Sequence, residues 1–242
     1  MPISAAPIML EVSNLNVWYG RTEILRDVTF SVPRGEIVAL LGGNGSGKTT
    51  ILNTLSGLLK PRAGSVMLGE TELAGRPAAA IVRAGMTQVP QGREVFASMT
   101  VLENLRMGAA TRRDRHEMRR DIDDVFTMFP RLHERRDRNA GYLSGGEQQQ
   151  VAIGRSLMAH PKLLLMDEPS AGLAPNIVES MIETVRMLKQ RGLTILLVEQ
   201  NVGVAAQTAG DAHILQNGSI VFTGSAPELI GNEQVLASYL GT

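Results

Sequence analysis

The chain has 242 residues, 43% hydrophobic and 20% charged, which suits one folded unit and excludes a disordered chain. Lys and Arg number 24, Asp and Glu number 24, and aromatics make up 4%, so the basic excess of a nucleic-acid binder is missing and few stacking platforms remain, which weakens that class without excluding it. With no cysteine, disulfides, thiolate metal sites and a cysteine nucleophile are excluded.

No apolar run approaches the roughly 20 residues of a spanning helix. The longest are short, such as Ile37-Val38-Ala39-Leu40-Leu41 and Ile195-Leu196-Leu197-Val198. Met1 to Pro7 lacks a basic stretch followed by an apolar core, so no secretory signal is expected. Any membrane role must then run through a partner.

The N-terminal segment reads as β. Ile8 to Val12 and Val28 to Val32 are rich in β-formers and bounded by turn residues. Pro33-Arg34-Gly35 is a turn, and Glu36 to Leu41 has the length and composition of a buried strand. A glycine-rich stretch follows, and then a helical pattern from Lys48 to Leu59 that Lys60-Pro61 should end.

From about Gln91 to His160 strand runs give way to helical periodicity. Arg112, Arg113, Arg115, Arg119 and Arg120 crowd there, mixed with Asp114, Glu117 and Asp121. The mixture predicts a solvated helix face with local ion pairs rather than a phosphate or lipid patch. Leu143 to Glu147 opens a helix reaching about His160, with Ser144 and Glu147 at capping-box spacing.

The last third returns to α/β. Leu163 to Met166 is a buried strand ending in Asp167. Pro175 stands at a helix start, and Ile177, Met181, Val185 and Leu188 recur at helical spacing up to Gly192. Thr194 to Val198 is another strand, and Asn217-Gly218 between Ile214-Leu215 and Ile220-Val221-Phe222 signals a hairpin.

Two places carry chemistry. Gly42-Gly43-Asn44-Gly45-Ser46-Gly47-Lys48-Thr49 fits the phosphate loop, with a strand before it and a helix after it. Its glycines let backbone N–H groups turn toward phosphate oxygens, and the helix N-terminus adds a positive dipole end. Lys48 would reach the β- and γ-phosphates and the Thr49 hydroxyl would ligate Mg²⁺, with Thr50 beside them. The second place is the strand end at Asp167-Glu168. Neighbouring strand residues point oppositely, so these acids cannot do the same job unless the strand ends between them. Asp167 is assigned to Mg²⁺ and Glu168 to polarising the attacking water as general base.

Ser144-Gly145-Gly146-Glu147 holds two glycines in a first helical turn, which weaken a helix unless its backbone approaches something closely. Leu143 to Glu147, lying between a phosphate loop and an Asp-Glu strand end, resembles the signature of ABC-type ATPases. In that family the segment binds the γ-phosphate of ATP held by the partner subunit, a role the resemblance gives to Ser144, Gly145, Gly146 and Glu147. It also makes Tyr19 the adenine-stacking aromatic. Gln91 becomes the glutamine linking Mg²⁺ and water to the transmembrane partner, and Ser170 to Leu173 the loop after the catalytic glutamate. Two positions depart from the pattern. Ala174 stands where the family usually has aspartate, and Gln200 where it has the γ-phosphate-sensing histidine. Glutamine can donate to phosphate but carries no charge.

The resemblance implies an α/β P-loop NTPase core with an N-terminal antiparallel β portion and an inserted helical subdomain. It spans one domain, with the core at residues 1–90 and 160–242 and the helical part at about 91–159. Gly172-Leu173-Ala174-Pro175, Val198-Glu199-Gln200-Asn201, Ala152-Ile153-Gly154-Arg155 and Ser238-Tyr239-Leu240-Gly241 are similar to the LivF-type ATP-binding subunits of branched-chain amino acid importers. Val89 to Glu94 is instead similar to the corresponding subunit of urea and short-chain amide importers. The resemblance thus implies ATP and Mg²⁺ as ligands and the cytoplasmic membrane face as location. It implies as partners transmembrane permease subunits, a different second ATP-binding subunit and an external substrate-binding protein. Gln91 to Glu103 would form the coupling surface. A soluble relative acting on nucleic acid or ribosomes would bring two nucleotide domains or long coiled-coil inserts. A small-molecule kinase would have no use for Leu143 to Glu147.

Overall fold

A computed structural model describes residues 6–230. The elements begin with β1 (Ile8–Tyr19), β2 (Thr22–Pro33), β3 (Ile37–Leu41), α1 (Lys48–Leu55), β4 (Ala63–Leu68), β5 (Thr71–Glu72), α2 (Ala78–Ala84) and β6 (Met86–Val89). A helical stretch follows: α3 (Val101–Gly108), α4 (Arg115–Met128), α5 (Pro130–Glu134) and α6 (Gly145–Leu157). The chain closes with β7 (Leu163–Asp167), α7 (Pro175–Gln190), β8 (Thr194–Glu199), α8 (Val202–Thr208), β9 (Asp211–Gln216), β10 (Ser219–Ser225) and α9 (Ala226–Ile230).

Two sheets form. One is antiparallel, ordered β2-β1-β4-β5; the other has the order β10-β9-β3-β8-β7-β6. In the larger sheet β9, β3, β8, β7 and β6 run parallel, and β10 pairs antiparallel at one edge. Every residue of β3, β7 and β8 is buried. Ile37, Ala39, Leu41, Leu164, Met166, Ile195 and Leu197 face one core with the helices of the middle region. Val38, Leu40, Leu163, Leu165, Leu196 and Val198 face a second core under the antiparallel sheet and α1. A sheet covered on both faces explains why its strands read as unbroken apolar runs.

The helix at Lys48 ends earlier than its periodicity indicates, at Leu55 rather than Leu59. Gly57 stops it. Its φ is 74°, and a Cβ there would come 2.5 Å from the Arg76 carbonyl. The helix after Ser144 ends at Leu157, and His160 beyond it takes a φ of 54°. The capping box is formed as its spacing predicts: Glu147 N–H donates to Ser144 Oγ, and Glu147 Oε2 accepts from Ser144 N–H at 2.9 Å. The hairpin turn is also confirmed, with φ of 49° at Asn217 and 81° at Gly218.

The arginine-rich middle is not wholly a solvated face. The Arg112 side chain is 10% exposed and pairs with Asp114 and Asp121 at 2.5 Å each. It also donates to the Met158 carbonyl at 2.8 Å, pinning the start of α4 to the end of α6. Ser238 to Gly241 lie outside the described residues.

Candidate nucleotide site

The parallel strands deliver their carboxyl ends to one edge of the sheet, where ligands of open α/β folds bind. β3 runs into the glycine loop, β7 ends at Asp167, and β8 ends at Glu199 just before Gln200. In the loop, Gly45 has a φ of 77° and Gly47, the N-cap of α1, a φ of 114°. Gly42 is fixed by space rather than by φ. A Cβ there would lie 2.5 Å from Ser46 Oγ and 2.6 Å from the Leu215 carbonyl.

Lys48 is buried inside its own loop. Its Nζ donates to the carbonyls of Gly42 at 2.7 Å and Gly43 at 3.0 Å, and lies 3.2 Å from Glu168 Oε1. The other carboxylate oxygen, Glu168 Oε2, accepts from Gln91 Nε2 at 3.0 Å. Three residues singled out from distant parts of the sequence thus meet at one carboxylate. They line a cleft of about 330 Å³ together with Asn44, Thr49, Thr50 and Tyr19, whose ring is exposed at the mouth.

β7 stops at Asp167, so Glu168 lies outside the strand. Glu168 takes the left-handed conformation, φ 42°, while its N–H donates to the Val198 carbonyl at 2.8 Å. That conformation costs a non-glycine residue about 1 kcal/mol and breaks the alternation of the strand.

Asp167 is buried, and its carboxyl is pushed up to about 6. Burial is the main cause and the Glu168 charge the next; Lys48 opposes them, and Glu199 adds a smaller push upward. The folded chain therefore holds this proton more tightly than the unfolded one. The stabilisation is full below about pH 4 and lost as pH rises through about 6. At neutral pH a charged Asp167 costs on the order of 2–3 kcal/mol. A divalent cation would take the place of the proton. The donors on offer, a carboxylate, the Thr49 hydroxyl and the Gln91 amide, are the hard oxygens that suit Mg²⁺. No group of three or more His, Cys, Asp or Glu side chains able to hold a metal occurs among the described residues. The rest of such an ion's shell would fall to phosphate oxygens and water. Asp167→Asn should raise the melting temperature of the nucleotide-free chain at pH 7.5 by about 5 °C, with the gain vanishing near pH 4. Calorimetry across that range checks it, and a lower melting temperature at pH 7.5 would contradict it.

Ser144 to Glu147 are not brought to the phosphate loop of their own chain; Ser144, Gly146 and Glu147 line a separate cleft between α6 and α7. Burial pushes the Glu147 carboxyl up, but the Ser144 N–H and hydroxyl and Arg135, 3.2 Å away, outweigh it and hold the pKa down. The two glycines have close neighbours within the chain. A Cβ on Gly145 would lie 2.9 Å from Arg93 Nη1, and one on Gly146 3.0 Å from Ile177 Cγ2. Arg93 was not singled out from the sequence, although it follows Gln91-Gly92 directly.

Gln200 is exposed and does not line the cleft around Lys48. Ala174 is the N-cap of α7 and gives it no side-chain cap. Sequence reasoning also missed Glu199, which is 2% exposed and whose pKa burial raises. A charged residue closing the apolar run Thr194 to Val198 was the available signal.

A glycine loop with a buried lysine, an acid pair at a strand end and a glutamine on the second acid define a P-loop nucleotide-binding cassette. The model of the ABC transporter family matches residues 25–171, and the chain belongs to that family. It is 45% identical to the high-affinity branched-chain amino acid transport ATP-binding protein BraG of Pseudomonas aeruginosa, over 96% of this chain and 100% of BraG. It is 39% identical to the probable branched-chain amino acid transport ATP-binding protein LivF of Archaeoglobus fulgidus, over 93% of this chain and 96% of that one. The solved ADP conformation of MJ1267, an ATP-binding cassette of an ABC transporter, superposes with a TM-score of 0.85 at 29% identity, covering 97% of both chains.

Proposed function

We propose that this chain is the ATP-hydrolysing subunit of an importer for branched-chain amino acids. The hydrolytic part is carried by one observation: the Glu168 carboxylate lies between Lys48 Nζ and Gln91 Nε2 at the end of β7. The cargo class is supported by the likeness to BraG and LivF. In this reading backbone N–H groups of Gly43 to Lys48, with Ser46 and Thr49, cradle the phosphates, and Tyr19 stacks on adenine. Thr49, Gln91 and Asp167 would hold Mg²⁺, which would supply neutralisation of charge on the phosphates. Glu168 takes the proton of the water that attacks the γ-phosphorus, and ADP leaves as the bridging bond breaks.

Ser144 and Gly145-Gly146 serve the ATP of a second ATP-binding subunit, so the working unit is a dimer, with a different chain as partner. The nucleotide core comprises residues 1–90 and 160–242 and the helical part about 91–159. No helix among the described residues is long and apolar enough to cross a membrane, which supports a peripheral place on permease subunits at the cytoplasmic face. Their contact falls on the groove beside Gln91 to Glu103. There the exposed Phe96 and Met107 flank Arg155, whose guanidinium sits 5.0 Å over the Phe96 ring. An external substrate-binding protein delivers the cargo, and nucleic acid is not a partner.

Purification of the tagged chain from membranes, followed by reconstitution with the subunits that accompany it, tests the proposal. ATP-dependent uptake of labelled leucine, isoleucine and valine is expected. Uptake of urea or acetamide instead would move the cargo assignment, and recovery with ribosomes alone would overturn the transport reading.

A further inference from the structure

Glu199 takes no part in the cleft around Lys48. The strand it ends is buried throughout, so its carboxylate lies in an apolar setting that it must satisfy locally. It does so with three backbone donors. Oε1 accepts from Ser170 N–H at 3.1 Å. Oε2 accepts from Gln200 N–H at 3.2 Å and Asn201 N–H at 3.4 Å. Ser170 belongs to the loop that leaves Glu168. Gln200 and Asn201 form the turn into α8, which Asn201 caps through Val204 N–H at 3.2 Å. One carboxylate therefore ties two loops from neighbouring strands at the edge of the sheet that carries the nucleotide site.

We propose that Glu199 is a positioning residue for ATP hydrolysis, holding the Ser170 loop and the Gln200 turn as a single unit beside Glu168. This rests on the ATPase reading above. Both oxygens are needed, one for each loop. A glutamine in the same place keeps size and shape but offers one acceptor, and its NH₂ group would face a backbone N–H. Glu199→Gln therefore cuts one of the two ties. The position matters more in this chain because Ala174 gives the Ser170 loop no capping side chain at its far end.

In the complex with its co-purifying subunits, Glu199→Gln should lower kcat about 10- to 100-fold while KM for ATP stays within about threefold. ADP titration counts the chains able to bind nucleotide. A reduced count with a wild-type rate per competent chain would mean a merely structural role and would overturn the proposal. Glu199→Gln combined with Asn201→Ala, which removes the side-chain cap of the same turn, should be slower than the slower single variant by no more than about twofold, because both act through that turn. Effects that multiply would also overturn it. Hydrogen exchange in the wild-type full chain needs neither variant nor turnover. The amides of Ser170 and Gln200 should share one opening free energy and be protected at least about 100-fold. Free exchange at Ser170, or unlinked exchange at the two, would remove the tie even in a chain that hydrolyses ATP normally.

Discussion

Glu168→Gln should reduce ATP turnover by at least about 100-fold while leaving nucleotide binding intact, because general-base catalysis contributes on that scale and an amide cannot accept the proton. The geometry adds a second effect. Glu168 is the ion partner of Lys48 at 3.2 Å and the acceptor of Gln91 at 3.0 Å. The amide removes a negative charge from beside the phosphates, so ATP affinity should stay equal or rise. With its partner subunit, the variant should accumulate as an ATP-bound dimer on size-exclusion chromatography in Mg-ATP. Turnover near the wild-type rate would place the base on another residue.

Lys48→Ala should act on binding itself. The ammonium is buried and aimed by two loop carbonyls, and in the proposed site it would supply charge-assisted hydrogen bonds to phosphate, each worth about 1.5–3 kcal/mol. Its loss also leaves Glu168 without an ion partner, facing the phosphates with its charge uncompensated. ATP and ADP affinity of the isolated chain should fall by about 100-fold or more. Ser144→Ala makes the contrast. Ser144 lines another cleft and reaches no part of the phosphate loop in its own chain. It should leave isolated-chain affinity near wild type and slow only the assembled dimer. Equal losses of monomer affinity in both variants would defeat the assignment of Ser144 to the partner's nucleotide.

The parts of the site legible in the sequence are those that local chemistry dictates. A phosphate loop needs its glycines, lysine and threonine in one contiguous stretch, and a buried strand ending in acids declares its own edge. The left-handed turn at Glu168 was not legible, because strand alternation says only that two adjacent acids point oppositely while the strand continues. Nor was the contact of Gln91 with Glu168, because it joins residues far apart in the chain and depends on how the loop after β6 folds back. Arg93 and Glu199 escaped for a related reason. Arg93 lies where a side chain on Gly145 would stand, and Glu199 accepts from loop N–H groups; glycine and backbone partners leave no pattern of residue types. β4, β5 and β6 were missed because they are short and mixed in character. The full lengths of β1 and β2 were missed because bulges, such as the register shift between Val12 and Leu15, interrupt the alternation that marks a strand.

The order of strands in the larger sheet bears on how the protein is made. β3 lies at its centre, between β8 and β9, and Ile37 pairs with Ile195. During synthesis β3 and the glycine loop emerge long before either neighbour exists. At about 5–20 residues per second the wait is on the order of 10–30 s. Through that interval an entirely apolar strand has neither edge paired, although the antiparallel hairpin beside it can already close. A nascent chain halted after α7 but before β8 would carry Lys48 and Glu168 without the strand that holds them in register. The nucleotide site is thus one of the last features to be completed, and an unpaired apolar strand stays open to wrong association until β8 and β9 arrive.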